Sequence, residues 1–135
     1  SEIKSIPPNL KLITPFSSFN KELKDLTKNF KKIDYGLKIE EKKFSYFNSH
    51  CVLEKILVLP YILSFLYSSE VKSIYFAGLD GYENNKIHRR ENNKILRKFN
   101  SLNKSCLNFL TPTLYKIWES LFLLQFKINV TSHNQ

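Results

Sequence analysis

An α/β domain with a mostly parallel sheet of about five strands flanked by helices is the fold class this sequence predicts, on three observations. Short apolar runs closed by Thr-Pro, Gly or Ser interleave along the chain with longer stretches of helical period. One run, Ile74 to Ala77, is apolar or aromatic without alternation, the pattern of a strand covered on both faces. It stops at Gly78-Leu79-Asp80-Gly81-Tyr82, where two permissive backbone positions flank one carboxylate. Ligands of an open parallel sheet bind beyond the carboxyl ends of its strands, where such a loop lies.

The elements follow in order. Residues 1–8 form an extended lead-in with Pro7-Pro8, and Leu10 to Ile13 reads as the first strand, ending at Thr14-Pro15. Ser17 and Ser18 offer caps for a helix from Phe19 to Phe30, whose Phe19, Leu23, Leu26 and Phe30 fall on one stripe. Ile33 to Ile39 is a second strand with Gly36 as a bulge, and Phe44 to Asn48 a further one, in a hairpin with its predecessor. An apolar helix is expected from Val52 to Tyr67, kinked by Pro60, with Leu53, Ile56, Leu57, Leu63 and Leu66 in the core. After the central strand comes a basic helix from Asn85 to Asn100, with Ile87, Ile95 and Phe99 inward and Arg89, Arg90, Lys94, Arg97 and Lys98 outward. Ser105 to Leu110 is the last strand. From Leu114 the pattern is helical, with Tyr115, Trp118, Phe122 and Phe126, and residues 129–135 fray. The order of elements resembles a compact Rossmann-like fold. A GxGxxG fingerprint is missing, which argues against a dinucleotide cofactor, and no cofactor is expected.

At 135 residues, with 42% hydrophobic and 14% aromatic side chains, the chain fits one packed domain over 1–135. Its longest apolar stretch, Ile56 to Tyr67, is shorter than the roughly 18 residues of a membrane span. The polar N-terminus has no secretion-signal core, so a cytoplasmic location is expected. The lack of Met reads as processing or as excision from a longer protein. Cys51 and Cys106 are expected to be free and buried.

The net charge of +9 is unevenly spread: +4 over residues 1–50, −1 over 51–82 and +6 over 83–135. Only three of the twenty-one cations are Arg, the usual residue for phosphate and base recognition, so the charge reads as lysine decoration and argues against a nucleic-acid partner.

Each expected parallel strand finishes in side chains able to hydrogen-bond. These are Thr14 with Ser17 and Ser18, then Asn48, Ser49 and His50, then Asp80 with Tyr82, then Thr111 and Thr113. Together they make a candidate ligand edge. Asp80 is the best catalytic candidate, able to orient a sugar or ribose hydroxyl, hold a metal or serve as a base, and it is also able simply to cap its own turn. Ser17 or Ser18 would meet a phosphate at a helix start. His50 beside Cys51 is no dyad, since strand neighbours point to opposite faces. Three dispersed His and two separated Cys have no metal-ligand spacing. His88-Arg89-Arg90 reads either as a phosphate contact or as a solvated helix face.

Four segments carry a family resemblance: Leu12-Ile13-Thr14-Pro15, Asn48-Ser49-His50-Cys51-Val52-Leu53, Ile74 to Tyr82, and Leu110-Thr111-Pro112-Thr113-Leu114-Tyr115. In this order they resemble the C-terminal domain of bacterial aldolase-like proteins, related to 4-hydroxy-2-oxovalerate aldolase, of surface-polysaccharide biosynthesis. The likeness spans about residues 8–118. A weaker similarity runs to sialyltransferase-like and flagellin-glycosylation proteins, which share a strand ending in Gly-x-Asp in a Rossmann-like nucleotide-sugar domain. The resemblance implies a sugar or nucleotide-sugar ligand and a role in polysaccharide or glycoconjugate synthesis. The aldolase chemistry belongs to a TIM-barrel portion that these residues do not match. Whether the chain is an enzyme is left open. A small glycosyltransferase and an accessory domain that docks on an aldolase or forms a homo-oligomer through the tail helix are the alternatives.

Overall fold

A computed structural model describes Pro7 and residues 9–117. The tail helix expected around Trp118, Phe122 and Phe126 lies outside the described residues. Packing of the backbone divides the chain into two compact units at Ser69–Glu70. Each is described by itself.

The first unit opens with strand β1 (Lys11–Thr14), a single 3-10 turn (Phe16–Ser18) and helix α1 (Lys21–Leu26). Strands β2 (Lys31–Asp34), β3 (Gly36–Ile39), β4 (Ser45–Tyr46) and β5 (His50–Leu53) follow, then helix α2 (Val58–Ser68). β1 pairs with β2 in parallel, β3 with β5 in parallel, and β4 with β5 antiparallel. Residues 31–39 serve both sheets. The Tyr35 amide donates to the Thr14 carbonyl at 3.1 Å and the Gly36 amide to the Ser49 carbonyl at 2.8 Å. Successive amides in a strand point to opposite edges, so this stretch changes its partner from β1 to β5 at Tyr35.

The core of this unit is aromatic. Tyr35, Cys51, Leu53 and Tyr61 are buried together, with Leu37, Phe44, Tyr46 and Phe65 packed against them. The Tyr35 hydroxyl donates to the Phe47 carbonyl at 2.9 Å, and the Tyr61 hydroxyl to the Tyr35 carbonyl at 2.5 Å. Both polar tips are thereby satisfied inside apolar surroundings. Gly36 is needed where β3 meets β5, because a Cβ there would lie 2.8 Å from the His50 Cβ. Gly36→Ala is expected to cost about 1–3 kcal/mol of stability in urea denaturation, as overpacking between two backbones does. An unchanged midpoint would mean that the strands do not approach so closely.

Several expectations are corrected here. Asn20, not Ser17 or Ser18, caps α1: its side chain accepts from the Leu23 amide at 2.9 Å. The helix has only six residues, and Phe19 and Phe30 lie outside it. The long apolar run that reads as one helix from Val52 is a strand, a turn and a helix. His50–Leu53 pairs between β3 and β4, the charged Glu54-Lys55 turns the chain, and α2 begins at Val58. Ile56, expected in the core, sits in this connection and is 78% exposed. Pro60 falls in the first turn of α2, where a backbone N–H has no helical partner, so no kink follows from it. The expected hairpin of Phe44–Asn48 forms with the strand after it, not the one before.

The second unit is a strand–helix–strand motif. Strand β6 (Ser73–Phe76) leads through a loop to helix α3 (Lys86–Ser101), which returns to strand β7 (Cys106–Phe109). β6 and β7 pair in parallel, Ser73 opposite Cys106 and Phe76 opposite Phe109. Asn85 caps α3, accepting from the His88 amide at 3.1 Å. Leu96 and Phe99 on α3, Ile74 on β6 and Leu107 on β7 are buried, along with Tyr115 and Ile117 beyond β7. Expected boundaries and observed ones agree within a residue or so in this unit. The inward faces agree in part: Ile74 and Phe99 are buried, but Tyr75 is 64% exposed, so β6 is not covered on both faces, and Ile87 is 70% exposed. Cys106 is exposed rather than buried, and residues 114–117 are not helical.

The chain is thus a mixed α/β protein with three α-helices and three small sheets among the described residues, of two, three and two strands. Three of the four pairings are parallel. No sheet of five strands forms among them. Among the described residues no helix is long and apolar enough to cross a membrane.

Candidate functional site

The carboxyl edge of the β6–β7 pair gathers the loops that the sequence singles out. After β6 the chain enters Gly78 with φ of 71° and Gly81 with φ of 103°, and Tyr82 follows with φ of 42°. Two glycines take the left-handed positions cheaply, whereas Tyr82 holds one at a cost of about 1–3 kcal/mol. After β7 the chain runs through Thr111-Pro112-Thr113-Leu114 alongside the first loop. The Gly78 amide donates to the Thr111 hydroxyl at 2.9 Å, and the Leu114 amide donates to the Asp80 carbonyl at 2.7 Å. Thr113 donates its hydroxyl to the same carbonyl at 3.4 Å and accepts from the Tyr115 amide at 3.2 Å. Gly81 is buried against Leu114 and Tyr115.

Asp80, Thr111 and Thr113 are therefore brought together, in unequal roles. Both threonine hydroxyls fasten one loop to the other, which leaves the Asp80 carboxylate as the outward-facing group. Asp80 is exposed, and its side chain makes no hydrogen bond or ion pair among the described residues. Tyr82 is exposed beside it in sequence, its ring 5.5 Å from that of His88 on the first turn of α3. Chemically this edge offers an acceptor-only carboxylate beside an aromatic face, a combination suited to hydroxyl-bearing rings.

The remaining candidates sit in the first unit. Ser17 lies in the 3-10 turn, where its amide faces the Asp34 carboxylate at 3.4 Å. With a carboxylate already there and no α-helix beginning at Ser17 or Ser18, the phosphate expected at that point meets the wrong charge. The Thr14 hydroxyl is buried without a partner among the described residues. Asn48 is exposed in the β4–β5 turn, and His50 starts β5. The His50 ring stacks on Phe47 at 4.7 Å and bonds the Ser49 hydroxyl at 3.0 Å. These groups follow a strand, β4, as expected, but β4 runs antiparallel to β5, so they lie at the amino end of β5 and not on a carboxyl edge of parallel strands. Cys51 is buried in the core, and burial pushes its thiol up, which leaves it inert as a nucleophile.

The second unit also carries a cationic cluster on α3. Lys86, Arg89, Arg90, Asn93 and Arg97 lie along one side of α3 at spacings of three, one, three and four, and with Leu114 and Lys116 they line an open groove of about 390 Å3. The helical spacing is visible in the sequence. The return of Lys116 to it is not, since that depends on two long-range bonds: the Lys116 amide to the Asn93 side chain at 2.8 Å and the Arg97 Nε to the Lys116 carbonyl at 2.7 Å.

Among the described residues no group of three or more His, Cys, Asp or Glu side chains could hold a metal ion. Compared with known proteins, the chain matches no family model, no curated protein and no solved structure.

Proposed function

We propose that this chain is a Rossmann-like domain that binds a sugar or nucleotide-sugar ligand at the carboxyl edge of β6 and β7, in the synthesis of bacterial surface polysaccharide or glycoconjugate. The observation that carries this reading is the Asp80 carboxylate, presented outward by a loop whose two glycines have positive φ and whose carbonyl is tied to Leu114. A carboxylate fixed in this way accepts hydrogen bonds from neighbouring sugar hydroxyls, and Tyr82 supplies a flat face for the ring. The pathway comes from the resemblance of Gly78–Tyr82 and Leu110–Tyr115 to the polysaccharide-associated domain. The reading is one of binding, since Asp80 has no acid, base or metal partner among the described residues with which to act on a bond.

A thermal-shift panel of sugars, nucleotides and CMP- or UDP-linked sugars tests it. At least one compound is expected to raise the melting temperature of the full chain, and Asp80→Ala to abolish that rise while melting unliganded at the wild-type temperature. No shift with any member of the panel sinks the reading.

A further inference from the structure

We infer that the groove between α3 and the segment after β7 is a phosphate site, built to take the diphosphate of a small ligand. All three arginines of the chain, Arg89, Arg90 and Arg97, line it, although eighteen of the twenty-one cations elsewhere and here are lysine. Random decoration of the surface in a lysine-rich chain would not collect every arginine in one concavity. Arginine is the side chain whose planar fork matches phosphate oxygens two at a time. Lys86 and Lys116 add two further positive charges, and among the described residues no carboxylate lines the groove. The single acid of α3, Glu91, lies on another face and pairs with His88 at 3.8 Å.

The walls are held in place before any ligand arrives. Arg97 and Asn93 are bonded to the backbone of Lys116, and the buried Asn92 side chain donates to the Tyr115 hydroxyl at 3.2 Å. Pre-set donors lose little freedom on binding, which favours a compact polyanion. A small ligand is favoured over a nucleic-acid strand by the neighbourhood. Leu114 lines the groove, and its amide is bonded to the carbonyl of Asp80, so the groove ends at a loop carrying an outward carboxylate. That carboxylate would repel a continuing phosphate backbone, while a diphosphate with a hydroxyl-bearing group at one end would meet both sites. The phosphate assignment rests on the groove alone. Its coupling to a sugar rests on the Asp80 reading.

Inorganic pyrophosphate titrated into the full chain by calorimetry separates the two. Wild type is expected to bind it, Arg90→Gln to bind about tenfold more weakly, as loss of a charge-assisted bond does, and Lys94→Gln to bind within about twofold of wild type. Arg90 and Lys94 are both exposed on the same helix, so neither change threatens folding and both remove one charge. Asp80→Ala is expected to bind pyrophosphate at least as tightly as wild type, since it removes only a repelling charge. The proposal is overturned if wild type does not bind pyrophosphate, if Lys94→Gln weakens it as much as Arg90→Gln, or if a single-stranded oligonucleotide displaces pyrophosphate with steep salt dependence. Pyrophosphate binding that is sensitive to Arg90, in a chain that no sugar stabilises, would keep the groove and remove the Asp80 reading.

Discussion

Gly81→Val is expected to destabilise the second unit by about 4 kcal/mol, from backbone strain and overpacking of about 1–3 kcal/mol each. The φ of 103° at this residue lies where side chains rarely go. A Cβ there would sit 3.1 Å from the Leu114 Cβ and 3.4 Å from its amide nitrogen. The amide is the donor to the Asp80 carbonyl, so it cannot retreat without breaking the contact between the two loops. Gly78 is the internal control. It too has positive φ, at 71°, yet nothing lies within 4 Å of a Cβ built on it. Gly78→Ala should therefore cost only the left-handed term, about 1–2 kcal/mol. Urea denaturation of the two variants checks both values. Equal losses would mean that the Leu114 contact contributes nothing, and the outward pose of Asp80 would lose its physical basis.

The same loop shows what was legible in the sequence and what was not. Gly78, Asp80 and Gly81 announce a turn after an apolar run, and Asn85 announces the helix that follows, because these signals are local. Thr111 and Thr113 are just as visible as polar strand ends. Their partners, the Gly78 amide and the Asp80 carbonyl, are about thirty residues away, and only the parallel pairing of β6 with β7 brings them into reach. Sequence reasoning consequently treated as ligand contacts two hydroxyls that the fold uses as fasteners.

The misreading around Cys51 has a related cause. Cys51-Val52-Leu53 is a continuous apolar run, and periodicity cannot separate a buried strand from the first turn of a buried helix. The decision is made by β3 on one side and β4 on the other, both earlier in the chain. Glu54-Lys55 was the local clue, two charges inside an otherwise apolar stretch. Asn48 and His50 still follow a strand, β4, but the antiparallel pairing of β4 with β5 puts them at the amino end of β5 and takes an entire arm of the expected ligand edge with them. Ile87 and Tyr75 failed differently: apolar character alone does not assign a face, and each turned outward.

Raising the pH past about 10 is expected to lower the stability of the chain steeply, through three buried tyrosines. Burial holds the hydroxyls of Tyr35, Tyr61 and Tyr115 above the ordinary value of 10.0, most strongly for Tyr61. For Tyr35 a hydrogen bond with Ser68 opposes this in part, and for Tyr115 the Asn92 side chain does. For Tyr61 the charges of Cys51 and Asp34 add to it. Each group thus keeps its proton longer in the folded chain than in the unfolded one. Their contribution is fully present below pH 10, where both states are protonated. Above it the unfolded chain ionises first, and each further pH unit removes about 1.4 kcal/mol per tyrosine until the folded hydroxyl ionises as well. Tyr61→Phe isolates one of the three. At neutral pH it should cost about 1–3 kcal/mol, because the buried Tyr35 carbonyl loses its donor. Above about pH 10 its stability should then fall less steeply than that of wild type. Urea denaturation at a series of pH values reads both effects. Parallel slopes for the two proteins would mean that Tyr61 ionises equally well folded and unfolded, and the aromatic core of the first unit would have to be more open to water than its packing with Tyr35 and Phe65 allows.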